Sequence, residues 1–451
     1  MSQSMALTLE QDRSPETRRL LFSIQTIKYV LFWLAVWQDA SVTGSPIQLA
    51  EYTGLVHSVR PIEFVLIALF LLLVIERTIS GDFTIRRSYF WAPILVFTVA
   101  LFISWVRGCW INQSVNVVWE VHEAFEIPFY FFIVLNLFRD PEDGRRLLIL
   151  ILLGAIAKAV DGAAVYFFSH DPTKGWGVVQ MWRDGYLLAF GLAAMLLMLH
   201  YPGGRYTWLK RLMIYSTPVL LFTLIASFRR TFFLALLVAA LSMFLTVGKG
   251  HRKRHLAIVL SLLVSLIVVI LATDPIAFIG RLLGVISPAE EGSAYIRLME
   301  YPNVIRNIID NPIFGTAIGT QWHQYWRMPL YANFTTLGTH NTYLYWPLRT
   351  GLLGTLGFFW LLARAWKVAL IEHRLARTNE EKLFSHLQIQ ALVIYQVGCF
   401  FGLMYGDAMT SLLAMLLTAF QLNAQKMLGL VSLRKVDFLK TIRTKQLVLR
   451  S

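Results

Sequence analysis

Residues 338–366 read GTHNTYLYWPLRTGLLGTLGFFWLLARAW. From Tyr343 to Ala363 this stretch is apolar apart from a single charge, Arg349. A helix needs roughly 20 such residues to cross a bilayer. The run is continuous and does not alternate, which speaks for a spanning helix and against a barrel strand. Runs of the same kind recur along the chain. The hydrophobic fraction is 56% and charged residues make up only 15%, against about 25% in soluble domains. Mean hydropathy is +0.57. The fold class expected is all-α, a polytopic integral membrane protein.

Twelve spans are predicted, near 21–38, 62–76, 89–106, 118–138, 147–168, 186–200, 212–228, 231–247, 256–273, 343–363, 387–405 and 408–427. The seventh and eighth touch at Phe228 to Thr231 and should form a tight hairpin. The organisation expected is a tail at 1–20, nine spans within 21–273, one long segment with short helices at 274–342, three spans within 343–428 and a basic tail at 429–451. No cleavable signal peptide is expected. The first apolar run follows Arg13, Arg18 and Arg19, and no small-residue cleavage site comes after it.

Basic residues set the orientation, because cytoplasmic loops carry the Lys/Arg excess. With the N-terminus inside, 28 of the 41 basic residues fall in inner loops, tails and inner helix ends and 11, Arg349 among them, in outer segments and outer helix ends, with Lys28 and Lys158 inside spans. Both termini are expected to be cytoplasmic. The net charge of +14 is then mostly topology. It is spread over seven inner segments rather than one face, so no nucleic-acid partner is implied.

Two cysteines, Cys109 and Cys399, make no disulfide framework. There is no CxxC, no HExxH, no Walker A loop and no GxGxxG after a strand. That disfavours an ATP-driven transporter. No internal repeat supports a secondary transporter.

The outer basic residues run against the bias. Arg229 and Arg230 stand in SFRRTFF, between spans seven and eight. Lys174 and Arg183 stand in the loop before span six, flanked by Trp176 and Trp182. Arg297 and Arg306 lie in the long outer segment that His340 ends. Arginine's planar fork matches phosphate bidentately and keeps its charge. These residues therefore suggest an anion site at the outer interface. The alternative for each arginine is snorkelling to lipid headgroups, and for the tryptophans an interfacial belt. His340 is a candidate base or a structural residue beside a cap at Thr339. Glu120, His122, Glu123 and Glu126 lie near the outer end of span four. There they could bind an acceptor or pair with the outer arginines, pairing being favoured. Lys158 and Asp161 read as a structural ion pair in span five.

Three motifs carry a resemblance. The Arg-Thr step in ASFRRTFFLALLVAAL is similar to a small-Arg-small motif, with Arg230 the best match and Arg229 where serine is common. IRLMEYPNVIRNIIDNPIFGTAIGT, 296–320, resembles an Arg-led amphipathic helix and a turn with Asp310, Pro312, Gly315 and Gly319. His340-Asn341-x-Tyr343-Leu344, followed by Gly351 and Gly354, resembles a His-Asn motif entering a Gly-x-x-Gly helix. In order and spacing the three resemble the O-antigen ligase and O-antigen polymerase superfamily. They cover about a third of the chain, roughly 226–360.

The resemblance implies a GT-C-like membrane glycosyltransferase of the bacterial inner membrane, active at the periplasmic face. It implies an undecaprenyl-pyrophosphate-linked oligosaccharide as donor and a glycan or lipid-linked acceptor. Other polysaccharide-assembly proteins are candidate partners. No cofactor and no metal are expected, because arginines can neutralise the pyrophosphate and no DxD or His-rich pattern occurs in the outer segments. The expected roles are His340 as general base and Arg230, Arg183, Arg229 and Arg297 as pyrophosphate ligands. Asn341, Glu123, Glu126 and Lys174 are acceptor-binding candidates. Polymerisation of O-antigen or exopolysaccharide repeats is the leading expectation, ligation to lipid A-core the alternative. A transporter or flippase would place polar residues at mid-membrane in several spans, and here they cluster at the outer face.

Overall fold

A computed structural model of the chain describes residues 15–38, 61–113, 118–140, 142–169, 184–201, 205–227, 230–246, short pieces of 252–264, 292–327, 339–401 and 407–428. Helices carry almost all of it: α1 Pro15–Gln38, α2 Pro61–Ser80, α3 Trp91–Asn112, α4 Val118–Leu137, α5 Asp143–Ser169, α6 Asp184–His200, α7 Thr207–Ala226, α8 Arg230–Thr246, α9 Gly292–Asp310, α10 Thr342–Leu375, α11 Asn379–Phe401 and α12 Asp407–Leu428. No strand occurs among the described residues.

Eleven of the twelve predicted spans fall on these helices, and the ninth lies largely outside the described residues. Among the described residues five helices, α3, α5, α7, α10 and α11, are long and apolar enough to cross a membrane. Shorter apolar stretches lie within α1, α4, α6 and α8. α1 begins at Pro15, inside the predicted tail, and α10 runs to Leu375, beyond the predicted 363. At both places the helix continues past the apolar stretch with polar and basic residues.

The interior is built on α6, α5 and α12. Every residue of α6 from Gly185 to Met198 is buried, as is α12 from Leu413 to Gln425. The hairpin expected at Phe228 to Thr231 lies partly outside the described residues. α7 lies on α5 and α6, and α8 lies on α6 and α11. The cause is local. Gly191 of α6 faces Leu220 of α7, and Gly185 faces the Phe232 ring of α8. Without side chains at these points, α6 fits between the two helices. Outward surfaces stay apolar: Phe64, Ile67 and Leu71 on α2, Phe102 and Val106 on α3, and Leu352 and Leu356 on α10 are all exposed. An apolar inside and an apolar outside are what a bilayer solvent requires.

The two ends of the bundle differ in charge. At one end Arg86 donates to the carbonyls of Phe138 and Arg139 (3.0 and 2.8 Å), Arg364 donates to Tyr89 O, and Arg145 pairs with Glu380. Lys28, placed by sequence inside the first span, joins this end by donating to Leu137 O (3.2 Å). At the other end Ser104 donates to Arg349 O (2.6 Å) and Arg107 to Phe314 O (2.8 Å). The loops between α2 and α3, α4 and α5, and α10 and α11 thus share one end.

Candidate functional site

The site at the less basic end is built on a joint. α10 breaks at Gly351, whose φ is 63° and ψ −155°. In an unbroken helix the Leu352 N–H would donate to the Leu348 carbonyl. Instead it donates to the carbonyls of Pro312 and Ile313 (3.0 and 3.2 Å), while Leu348 O accepts from the Thr316 N–H (2.6 Å) and hydroxyl (3.0 Å). The turn after α9 thus satisfies both backbone groups that the kink frees. The approach is close. Gly315 has φ 66°, and a Cβ there would lie 2.5 Å from Leu348 O. Arg349, completely buried, donates to Ala317 O (3.0 Å) and Thr320 O and so holds the rest of the turn.

α9 lies over the start of α10. Ile296, Val304 and Ile308 recur at multiples of four residues and meet Trp322, Leu344 and Leu348 in a small core. Such spacing gives one helix face. Asn303 and Asn307 hold the returning segment. Asn303 donates to Trp326 O (3.0 Å) and accepts from its N–H (2.8 Å); Asn307 does the same with His323 (2.7 and 2.9 Å).

Glu300 occupies the same face, between Ile296 and Val304, and is fully buried. Its carboxylate accepts the His340 backbone N–H at Oε1 (2.6 Å) and faces His340 Nδ1 with Oε2 (2.6 Å). A carboxylate only accepts, so Nδ1 carries a hydrogen, and in the neutral ring Nε2 then holds the lone pair. The Glu300 side chain is 0% exposed and that of His340 27%. Asn341, the next residue, is the N-cap of α10. Its side chain accepts from the Tyr343 and Leu344 N–H groups (2.9 and 3.3 Å). Asn341, not Thr339, therefore caps this helix, and its buried Oδ1 is committed to the cap. Tyr301 also bonds the Asn341 side chain; burial pushes its phenol up, and that bond and the Arg297 charge oppose the shift.

The predicted residues divide accordingly. His340 and Asn341 stand side by side before α10, and Arg297, half-buried on α9 one turn before Tyr301, acts on the phenol that bonds Asn341. Arg230 opens α8 at the same end of the bundle, though its side chain lies outside the described residues. Lys174, Arg183 and Arg229 lie wholly outside them. Glu126 is buried in α4, and only the helix position of Glu123 is described. Sequence reasoning did not single out Glu300. The signal was present, because an acid stood where the face formed by Ile296, Val304 and Ile308 called for an apolar residue.

Residues 215–359 match the O-antigen ligase family. The match supports the O-antigen ligase and polymerase superfamily for that part of the chain. Comparison with curated proteins finds no match. The O-antigen ligase domain runs from within α7 to within α10 and contains Arg229, Arg230, Arg297, Glu300, His340 and the Gly315–Gly351 joint. Lys174, Arg183, Glu123 and Glu126 stand outside it. The match and the long apolar helices together support a membrane setting.

Proposed function

We propose that the chain is a glycosyltransferase of the bacterial inner membrane that moves a glycan from undecaprenyl pyrophosphate to a sugar hydroxyl. The observation that carries this reading is the His340–Glu300 pair, inside the matched domain, with Arg297 three residues before Glu300 on α9. His340 Nε2 takes the proton of the acceptor hydroxyl as its oxygen attacks the anomeric carbon. Histidine suits a proton transfer near neutral pH. Glu300 holds the ring in the tautomer that leaves Nε2 basic and stabilises the imidazolium that forms. The bond from the anomeric carbon to the phosphate oxygen breaks, and undecaprenyl pyrophosphate leaves with the negative charge. Arg297 and Arg230, with Arg183 and Arg229, stabilise that charge. Fixed guanidinium groups thereby supply what a divalent metal would otherwise supply.

In this reading the end with α9 faces the periplasm and the basic end faces the cytoplasm, with both termini there. Asn341 acts by fixing the start of α10 next to His340; Glu123, Glu126 and Lys174 stay acceptor-side candidates. Repeat-unit polymerisation is the working assignment. Ligation to lipid A-core is a second reading, favoured by the description of the matched family. The test is purified protein in nanodiscs with an undecaprenyl-pyrophosphate-linked repeat unit alone. A ladder on a gel identifies a polymerase. No ladder, but transfer once lipid A-core is added, identifies a ligase. Transfer to neither acceptor, or turnover retained by His340→Ala, overturns the proposal.

A further inference from the structure

The segment after the joint, residues 321–327, has no part in the transfer chemistry above, yet it is held with unusual care. Two side-chain amides, one helical turn apart, each grip its backbone through a donor and an acceptor. The rings carried on that backbone are open: Trp326 is 49% exposed and Tyr325 41%. Tyr325 and Trp326 lie 6.1 Å apart, and His323 meets Tyr325 edge-on at 4.6 Å. Polar groups surround them. The Tyr325 hydroxyl donates to Asp310 Oδ2, Arg306 pairs with Asp310 (3.4 Å), and the Arg306 guanidinium lies 5.8 Å from the Tyr325 ring centre.

We propose that Trp326, Tyr325 and His323, with Asp310 and Arg306, form a glycan-binding platform that extends the transfer site along α9. A pyranose ring has an apolar C–H face and a rim of hydroxyls. Aromatic faces cover the first, and a carboxylate and a guanidinium pair with the second. Rings fixed in advance lose little freedom on binding. The position fits as well. Asn303, which grips Trp326, is one turn from Glu300 on α9. The platform thus begins about 5 Å along the helix from the His340–Glu300 pair and ends at Asp310, about 15 Å away. That is room for more than one sugar of a chain whose end lies at His340. A purely lipid-facing surface at this place would not place an acid, an arginine and a histidine among the rings.

The inference rests on the transferase reading, and its test separates the two. The probe is the soluble oligosaccharide released by mild acid from the cell's own undecaprenyl-linked pool, free of lipid and pyrophosphate. Its binding to the full chain in nanodiscs is followed by saturation-transfer NMR and calorimetry. Wild type and His340→Ala should both bind it. Trp326→Ala should weaken binding about three- to ten-fold, the range a single aromatic stacking contact spans. With the lipid-linked substrate it should raise KM by a similar factor and leave kcat nearly unchanged. Asp310→Asn, which keeps side-chain size, is the second variant should Trp326→Ala fail to fold. Transfer by wild type, with oligosaccharide binding equal in wild type, Trp326→Ala and Asp310→Asn, overturns the platform and leaves the transferase intact. No oligosaccharide binding by wild type also overturns it, as does an equal oligosaccharide signal from empty nanodiscs. Binding lost in the variants, with no transfer by wild type, upholds the platform and removes the transferase.

Discussion

Glu300→Gln isolates the part of the site that depends on charge and tautomer. Glutamine has the shape of glutamate, so the small core of Val304, Trp322 and Leu348 next to it is not disturbed. Its carbonyl oxygen can still accept the His340 backbone N–H, which is 2.6 Å from Oε1. Its amide, however, then faces His340 Nδ1, 2.6 Å from the other oxygen, and an amide nitrogen only donates. Nδ1 must become the acceptor, the ring hydrogen moves to Nε2, and the base is lost. Loss of a positioned base costs about 10²- to 10⁴-fold in rate, and a carboxylate-to-amide change behind a catalytic histidine is known to reach about 10⁴. We therefore expect kcat to fall by about three orders of magnitude and KM to stay within about two-fold, since the pair acts on the transition state rather than on ground-state binding. Stability should fall by about 1–3 kcal/mol, the range for a charge-assisted hydrogen bond. Single-turnover kinetics with the lipid-linked donor, with thermal unfolding measured alongside, reads both. If Glu300→Gln keeps kcat within three-fold of wild type while His340→Ala is inactive, His340 works without Glu300 and the reasoning is wrong.

Three further outcomes follow from the geometry. Gly351→Ala places a Cβ at φ 63° and against Ile313 O; left-handed strain of about 1–2 kcal/mol and the lost docking of the turn should lower the melting temperature more than any change at exposed Gly81, where a Cβ meets nothing within 4 Å. Asn341→Ala removes the cap bonds to Tyr343 and Leu344 and should cost about 1 kcal/mol, with Asn341→Asp restoring most of it in a thermal scan. Hydrogen bonds from the Thr84 hydroxyl and amide, with Arg77 nearby, hold the Asp82 carboxyl below its usual range. A depressed folded value stabilises above the unfolded carboxyl's pKa, about 3.9, and that gain is lost as pH falls through the folded value. Asp82→Asn should therefore be less stable than wild type at neutral pH and converge with it below about pH 4, as read by unfolding across a pH series.

How far the sequence could be read depended on whether a feature was local. The helices were legible because a bilayer demands long apolar runs, and α10 announces itself between Tyr343 and Ala363. The packing of α7 and α8 was not, because it turns on two glycines of a third helix, Gly185 and Gly191. Arg349 counted in the sequence as one more outer cation. In the fold it is buried and spent on carbonyls 29 and 32 residues away, and no local pattern reports that. The glycines of the two motifs are a similar case. Gly315 and Gly351 looked like separate signatures, and they are the two sides of one contact between backbones. Glu300 lies between these extremes. A charged group on an apolar helix face costs stability unless something pairs with it. Ile296, Val304 and Ile308 define that face from spacing alone, so the sequence by itself could have marked Glu300 as an acid in need of a partner. It could not have named the partner, because His340 stands 40 residues further on, and only the docking of α9 over the start of α10 brings the two together.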